Sequence, residues 1–273
     1  MKLLCVILFN LCILNSAWAA PAKNLDVYWQ PFAATESIAV DHQPWQLLLD
    51  NYLSIDAQQQ TFFAYAKVTV QHRQVLNNYI ASLSALDPLA LTRAQQKAYW
   101  INLYNAATVN LILEKYPVKT ITKLGKGFFS FGPWDDKLLS VNGRKLTLND
   151  IEHRILRPIY NDERIHYAVN CASYSCPNLA TKVYTKDNTH ALLEQGAKQY
   201  INHSRGVAFS KNKLTLSSIF DWYQVDFGRN DTEVIKHLQK YAQPKLSAAL
   251  TAYVQQGKSK IKYHYNWQLN EQK

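Results

Sequence analysis

The stretch QQKAYWINLYNAATVNLILEKY, residues 95–116, decides the architecture of this chain. It is apolar nearly all round, and a helix of that kind sits inside a core rather than on a surface. Thr92-x-x-Gln95 supplies a capping box before it, and Pro117 stops it. The spacing therefore predicts a helix over 93–116. Asn102 and Asn105, three apart, share a stripe with Ala98, Val109 and Ile112. A buried amide left unpaired costs about 1–3 kcal/mol, so both need partners. Either they bond the backbone of a neighbouring loop or they line a site.

Outward from this helix the chain alternates between short elements of both kinds. Residues 44–52 and 71–85 read as helices, the second with Val75, Leu76, Tyr79, Ile80 and Leu83 on one side. Residues 62–70 fit a half-buried strand or an irregular run. Asn142-Gly143, between 137–141 and 144–148, is a type I′ hairpin signal. A helix follows from Asn149, with Ile151, Ile155 and Ile159 inward. Helices are predicted again over 192–202, 232–241 and 244–256, and a strand over 260–269. Lys145-Leu146-Thr147-Leu148 is echoed by Lys213-Leu214-Thr215-Leu216, each after a turn (the second at Lys211-Asn212) and each leading to a helix. A common strand-to-helix solution explains this as well as duplication does.

These elements predict an α+β protein. It is mainly helical and a single domain, with the long buried helix packed on a small antiparallel sheet. A papain- or transglutaminase-like layout fits that description. Residues 20–49 have little periodicity and read as a wrapping segment; residues 50–273 read as the domain.

Residues 1–19 have the form of a secretory signal peptide. Lys2 is followed by an apolar run over 3–14 and by Ala17-Trp18-Ala19. No second stretch is of membrane-spanning length, so a periplasmic or secreted protein with no integral membrane span is expected. Cys5 and Cys12 fall in the leader, which leaves Cys171 and Cys176. The formal charge of +10 becomes +9 once Lys2 is removed. In an exported protein that balance points to an anionic or peptide-like envelope ligand rather than nucleic acid. The lysines at 115, 119, 123, 126 and 137, and at 258, 260 and 262, fit solvated basic faces or anion contacts.

Reactive side chains are densest over 164–177, RIHYAVNCASYSCP. Read as a strand, this places His166 and Asn170 on one face and Cys171 on the other. Ser175-Cys176-Pro177 reads as the start of a short helix through residue 183, whose field would favour a Cys176 thiolate. With His166 as base and Asn102, Asn105 or Asn170 orienting it, these are the parts of a cysteine hydrolase or acyl transferase. A Cys171–Cys176 disulfide would instead make the loop a ligand cleft in a non-catalytic binding module. Two free buried thiols are the third reading. Asn170, Ser173, Ser175, Glu152 and His153 are candidate ligand contacts. Asn102, Asn105, His166, Asn170 and Cys176 are expected to converge on one pocket, because mutual pairing would satisfy them all. No metal-ligand spacing, phosphate-binding loop or dinucleotide fingerprint is present, so no metal or cofactor is expected.

YWINLYNA (99–106), LTLNDIEHRILRPIYNDERIHYAVNCASYSCPNL (146–179), LSSIFDWYQVDFG (216–228) and YNWQLN (265–270) occur in one order along the chain. This arrangement resembles the domain-of-unknown-function family 547, over roughly 50–270. The resemblance implies an exported bacterial member of a widespread family whose plant relatives carry the domain behind a leucine zipper. It implies no assigned reaction. It maps the family's loop motif onto His166, Asn170, Cys171, Ser175, Cys176 and Pro177.

Overall fold

A short 3₁₀ turn, Val27–Trp29, precedes helix α1 (Gln43–Tyr52) and the hairpin β1 (Leu53–Ile55) and β2 (Thr61–Phe63). Helices α2 (Val70–Ala85) and α3 (Arg93–Lys115) follow. The computed structural model describes residues 21–272 except 37, 128–130, 211–212 and 258–259. The expected signal peptide, the Lys211-Asn212 turn and Lys258 lie outside the described residues.

The long helix is where the sequence puts it. Thr92 Oγ1 accepts from the Gln95 backbone N–H, and Gln95 Oε1 accepts from the Thr92 N–H at 3.1 Å. Every side chain from Ala98 to Val109 is buried. The surroundings of α3 differ from expectation. Its principal neighbours are α2 and the helical turn at Asp150–Leu156, not a sheet. The strands are too short to cover so long a helix, so helices do. The capping box sets where α3 begins, and Thr92→Ala should cost about 1 kcal/mol. Urea unfolding reads that loss directly; an unchanged midpoint would mean that tertiary packing alone sets the helix start.

The wrapping segment packs deeply at one point. Trp29 is buried edge-on to Trp100, ring centroids 5.1 Å apart. The Asn24 and Asp26 backbone N–H groups donate to the carbonyls of His153 and Arg154, at 3.1 and 3.0 Å.

Strands β3 (Leu139–Val141) and β4 (Arg144–Leu146) form the predicted hairpin. Asn142 and Gly143 have φ of 48° and 74°, the left-handed pair that a type I′ turn requires. Thr147 and Asp150 then cap one another reciprocally, each backbone N–H donating to the other's side chain at 2.9 Å. The turn they start, Asp150–Leu156, is π-helical and passes into α4 (Arg157–Tyr160).

Two expectations fail beyond this point. Over the predicted strand at 164–171 the chain makes a 3₁₀ turn, Glu163–Tyr167, capped by Asp162. The β-branched and aromatic content of IHYAV suggested a strand. Instead its apolar side chains enter two different cores, Ile165 and Ala168 on one side and Tyr167 on the other. The expected helix after Cys176 is also absent. Its residues adopt no regular secondary structure and are tied to the first hairpin, where Asn178 Oδ1 accepts from the Thr61 N–H (3.0 Å) and Asn178 Nδ2 donates to the Gln59 carbonyl (2.7 Å).

Helix α5 (Thr189–Ile201) leads to the hairpin β5 (Val207–Ser210) and β6 (Lys213–Ser217), then to the short helices α6 (Ile219–Trp222) and α7 (Gln224–Phe227). Helices α8 (Asp231–Tyr241) and α9 (Pro244–Gln255) follow, and β7 (Lys262–His264) closes the chain's last sheet parallel to β6. The described residues thus form an α+β structure in which small hairpins accompany the helices. None of its described helices is long and apolar enough to cross a membrane.

Candidate functional site

The site is built from four segments that the fold brings together. The π-helical turn supplies Glu152 and His153, and α4 begins with Arg157. A π turn is wider than an α turn, so neighbouring side chains diverge less and both Glu152 and His153 reach one cleft. The 3₁₀ turn supplies His166, and α7 supplies Asp226. All of these side chains except Asp226 and Arg157 line the cleft; those two lie behind it.

Asp226 Oδ2 accepts from Arg157 Nε (2.6 Å) and lies 2.8 Å from His166 Nε2. The other His166 nitrogen, Nδ1, is 3.5 Å from Glu152 Oε1. Tyr104 donates its hydroxyl to Glu152 Oε2 (3.2 Å). The Tyr223 ring stacks on His166, centroids 4.3 Å apart. Burial alone pushes the Glu152 carboxyl up, but the imidazoles of His153 and His166 and the Arg157 guanidinium outweigh it and bring it to about 2. Asp226 is held well below the usual carboxylate range, because hydrogen bonds from His166 and Arg157 overcome its burial. Burial drives His153 down to about 4 against the pull of Glu152. At neutral pH His153 is therefore neutral, its Nδ1 accepting from Arg157 Nη1 at 2.9 Å.

The thiols stand at the side of this cluster. Ala172 holds φ of 57°, a left-handed conformation that costs a β-carbon residue about 1–2 kcal/mol. Asn170 Oδ1 stabilises it by accepting the Ala172 N–H (2.8 Å), and the Asn270 N–H donates to the Ala172 carbonyl (3.1 Å). The turn brings Cys176 Sγ to 3.0 Å from Cys171 Sγ, and the Cys171 N–H donates to Cys176 Sγ at 2.9 Å. A disulfide bond spans about 2.05 Å; both cysteines are free thiols. Ser173 Oγ and Tyr265 Oη reach Cys171 Sγ at 3.1 and 3.2 Å.

Over cluster and thiols lies a cleft of about 320 Å³, walled by Trp134, Trp222, Tyr223, Tyr265 and Trp267. Its ionisable lining is Asp135, Glu152, the two histidines, the two cysteines and tyrosines.

The expected convergence holds for some residues and not for others. His166 and Cys176 both line the cleft, with Cys171, Glu152 and His153. Asn102 does not; both ends of its amide bond the Tyr184 backbone, at 2.7 and 3.0 Å. Asn105 donates to the Ala168 carbonyl (2.9 Å) and accepts the Asn170 N–H (2.8 Å). Asn170 Nδ2 donates to the Pro177 carbonyl (2.6 Å). The amides act as splints for the loops. Ser173 faces Cys171 and Tyr265, whereas Ser175 Oγ accepts the Asn266 N–H (2.8 Å) and clamps the C-terminal segment. Both His166 nitrogens face carboxylates, and Cys176 sits in a loop rather than at a helix start.

Sequence reasoning missed Tyr104, Arg157, Tyr223, Asp226 and Tyr265. Each lies within one of the four separated motifs quoted above, and the aromatic density of DWYQVDFG and YNWQLN was the usable signal.

Fold and site together define an α+β protein with an aromatic cleft set over a buried carboxylate–imidazole–guanidinium cluster and a neighbouring dithiol. Residues 88–201 match the family described as "Protein of unknown function, DUF547". The match includes Glu152, His166 and both thiols, while Asp226 and Tyr265 lie beyond it. No curated protein and no solved structure matches the chain.

Proposed function

We propose that this is an exported ligand-binding protein, and that its cleft takes a small neutral or cationic ligand with a flat apolar face. The signal-peptide pattern of residues 1–19 supports export. One observation carries the ligand class: the lining holds Asp135 and Glu152 and, among the described residues, no lysine or arginine, in a chain of formal charge +10. An anionic ligand would meet two carboxylates and receive no cationic partner from the lining other than a protonated histidine. Glu152 is held as an anion; its carboxylate accepts from Tyr104 at 3.2 Å and lies 3.5 Å from His166 Nδ1 and 4.0 Å from His153 Nδ1. A carboxylate accommodates about four hydrogen bonds, so acceptor capacity remains for a ligand N–H, O–H or ammonium. The indole and phenol walls supply the apolar and cation-attracting surface.

The cysteine-hydrolase reading finds less support. It needs His166 free to take a proton from a thiol and an amide free to orient the imidazole. Here the imidazole is committed to Asp226 and Glu152, and Asn102 and Asn105 are committed to backbone.

A matched pair of probes tests the proposal. 2-Phenylethylamine should bind the full chain in calorimetry, with phenylacetate at least about tenfold weaker. Glu152→Gln, nearly isosteric, should weaken the amine by a similar factor. Equal or tighter binding of phenylacetate would overturn the ligand class.

A further inference from the structure

We propose that Cys171 and Cys176 form a reversible dithiol–disulfide couple opening onto the cleft, with Cys171 attacking a substrate disulfide and Cys176 resolving it. This goes beyond the binding reading and stands without it.

The geometry is that of a pair poised to close. The sulfurs are 3.0 Å apart and are held by the surrounding loop. The left-handed Ala172 turns the chain back, and the Cys176 N–H donates to the Ser173 carbonyl at 3.0 Å. The loop is also pinned to the C-terminal segment. The Tyr174 N–H donates to the Gln268 carbonyl (2.6 Å) and the Ser175 N–H to that of Asn266 (3.1 Å). Closing the pair requires an approach of about 1 Å to reach bonding distance. The backbone is already ordered, so little further entropy is lost.

The two thiols differ in the way such a couple needs. Cys171 is half-buried and Cys176 is buried, so the first meets an incoming disulfide and the second stands behind it. Ser173 Oγ, Tyr265 Oη and Cys176 Sγ all lie within hydrogen-bonding distance of the Cys171 sulfur. Burial pushes the Cys171 thiol up, but these hydrogen bonds outweigh it and bring it below its ordinary value. Cys176 is pushed the other way by burial and by the charge on Cys171. Attack by a thiolate on a disulfide sulfur is the general route of such exchange.

The steps balance. The Cys171 thiolate attacks R–S–S–R′; a Cys171–S–S–R bond forms and R′–S⁻ leaves. The Cys176 thiol gives its proton to R′–S⁻ and becomes a thiolate. It attacks the Cys171 sulfur, so the Cys171–Cys176 bond forms and R–S⁻ leaves. Two electrons pass from the protein to the substrate, which departs as two thiol species carrying the one proton. Each step runs in reverse when a dithiol meets the oxidised protein.

The test exposes the full chain to glutathione disulfide, quenches with N-ethylmaleimide and maps the cysteine peptides by mass. Wild type should lose both alkylatable thiols at positions 171 and 176 together and retain no glutathione. Cys176→Ser should trap one glutathione on Cys171. Cys171→Ser should leave Cys176 unmodified. Tyr265→Phe, which keeps both thiols, should slow iodoacetamide alkylation of Cys171 several-fold at neutral pH. The proposal is overturned if wild type keeps both thiols free in excess oxidant, or accumulates a stable glutathione adduct instead. It is also overturned if Cys171→Ser reacts as fast as wild type, or if Tyr265→Phe leaves the alkylation rate unchanged.

Discussion

Replacing Arg157 by methionine should destabilise the protein by about 3–5 kcal/mol, the range for removing one partner of a buried ion pair. The Arg157 side chain is only 2% exposed. Its guanidinium donates to Asp226 Oδ2 (2.6 Å), to His153 Nδ1 (2.9 Å) and to the Pro21 carbonyl (2.9 Å), and it lies over the Tyr223 ring. Methionine preserves much of the stem's volume but none of these donors. Asp226 would keep His166, and Lys23 at 3.5 Å, but Lys23 is about one-third exposed and screened by water. The adjacent Glu152 would also lose part of the positive field that holds it ionised.

The double variant Arg157→Met, Asp226→Leu separates the charge from the packing. Removing both partners of a buried pair is often close to neutral, so the double variant should be more stable than the sum of the two singles. Urea unfolding of all three variants measures the coupling. A loss below about 1 kcal/mol for Arg157→Met alone would show that His166 and Lys23 suffice for Asp226. Marginal stabilities are about 5–15 kcal/mol, so the expected loss is a large fraction of the whole.

The sequence exposed the parts of the fold whose signals are local. The central helix carried its own cap, stop and apolar surface, and Asn142-Gly143 specified its own turn. The amphipathic helix at Val70–Ala85 and the helices at Asp231–Tyr241 and Pro244–Gln255 were legible for the same reason. What was hidden depends on distant partners. IHYAV looks like a strand until Ile165 and Tyr167 are seen to enter separate cores. The helix expected after Cys176 is suppressed by Asn178, which spends its amide on a hairpin more than a hundred residues earlier.

The candidate site was half legible for a related reason. The density of His166, Cys171 and Cys176 located it, and Glu152 and His153 were found beside it. Satisfaction arguments about Asn102 and Asn105 were sound in principle, since both amides are fully paired. Backbone of a neighbouring loop, one of the two partners they allowed, is what both amides bond; Asn102 stays out of the cleft because the Tyr184 backbone satisfies both ends of its amide. Asp226 was invisible: nothing in VDFG alone indicates that its carboxylate will meet an arginine 69 residues earlier.

Acid should unfold this protein before its carboxylates titrate. At three of the buried histidines, His42, His153 and His237, burial lowers the imidazole to about 4 from an ordinary value of 6.5. Asp41, Glu152 and Glu163 oppose the shift at the three sites without cancelling it. Each ring nitrogen that faces the interior is already met by a neighbour. Tyr79 Oη lies 2.7 Å from His42 Nδ1, Arg157 donates to His153 Nδ1, and Tyr167 Oη lies 2.7 Å from His237 Nε2. A histidine lowered in the fold is neutral there while its unfolded counterpart is protonated. The unfolded state therefore binds more protons between about pH 6.5 and 4, and stability falls with pH through that window. Each site contributes up to about 3 kcal/mol, and three together give a slope approaching 4 kcal/mol per pH unit in the middle of the window. Glu152, lowered to about 2, extends the loss in the same direction below its unfolded value of 4.5. Urea midpoints taken from pH 7.5 to 4.5 should decline steadily once the pH passes below 6.5, and His42→Gln, remote from the cleft, should make the decline shallower by about one proton's worth. Midpoints that stay level to pH 4.5 would mean that the imidazoles protonate in place, with the tyrosine hydroxyls turning to accept from His42 and His237. In that event Arg157 and His153 would separate, and the cleft would open before the core unfolds.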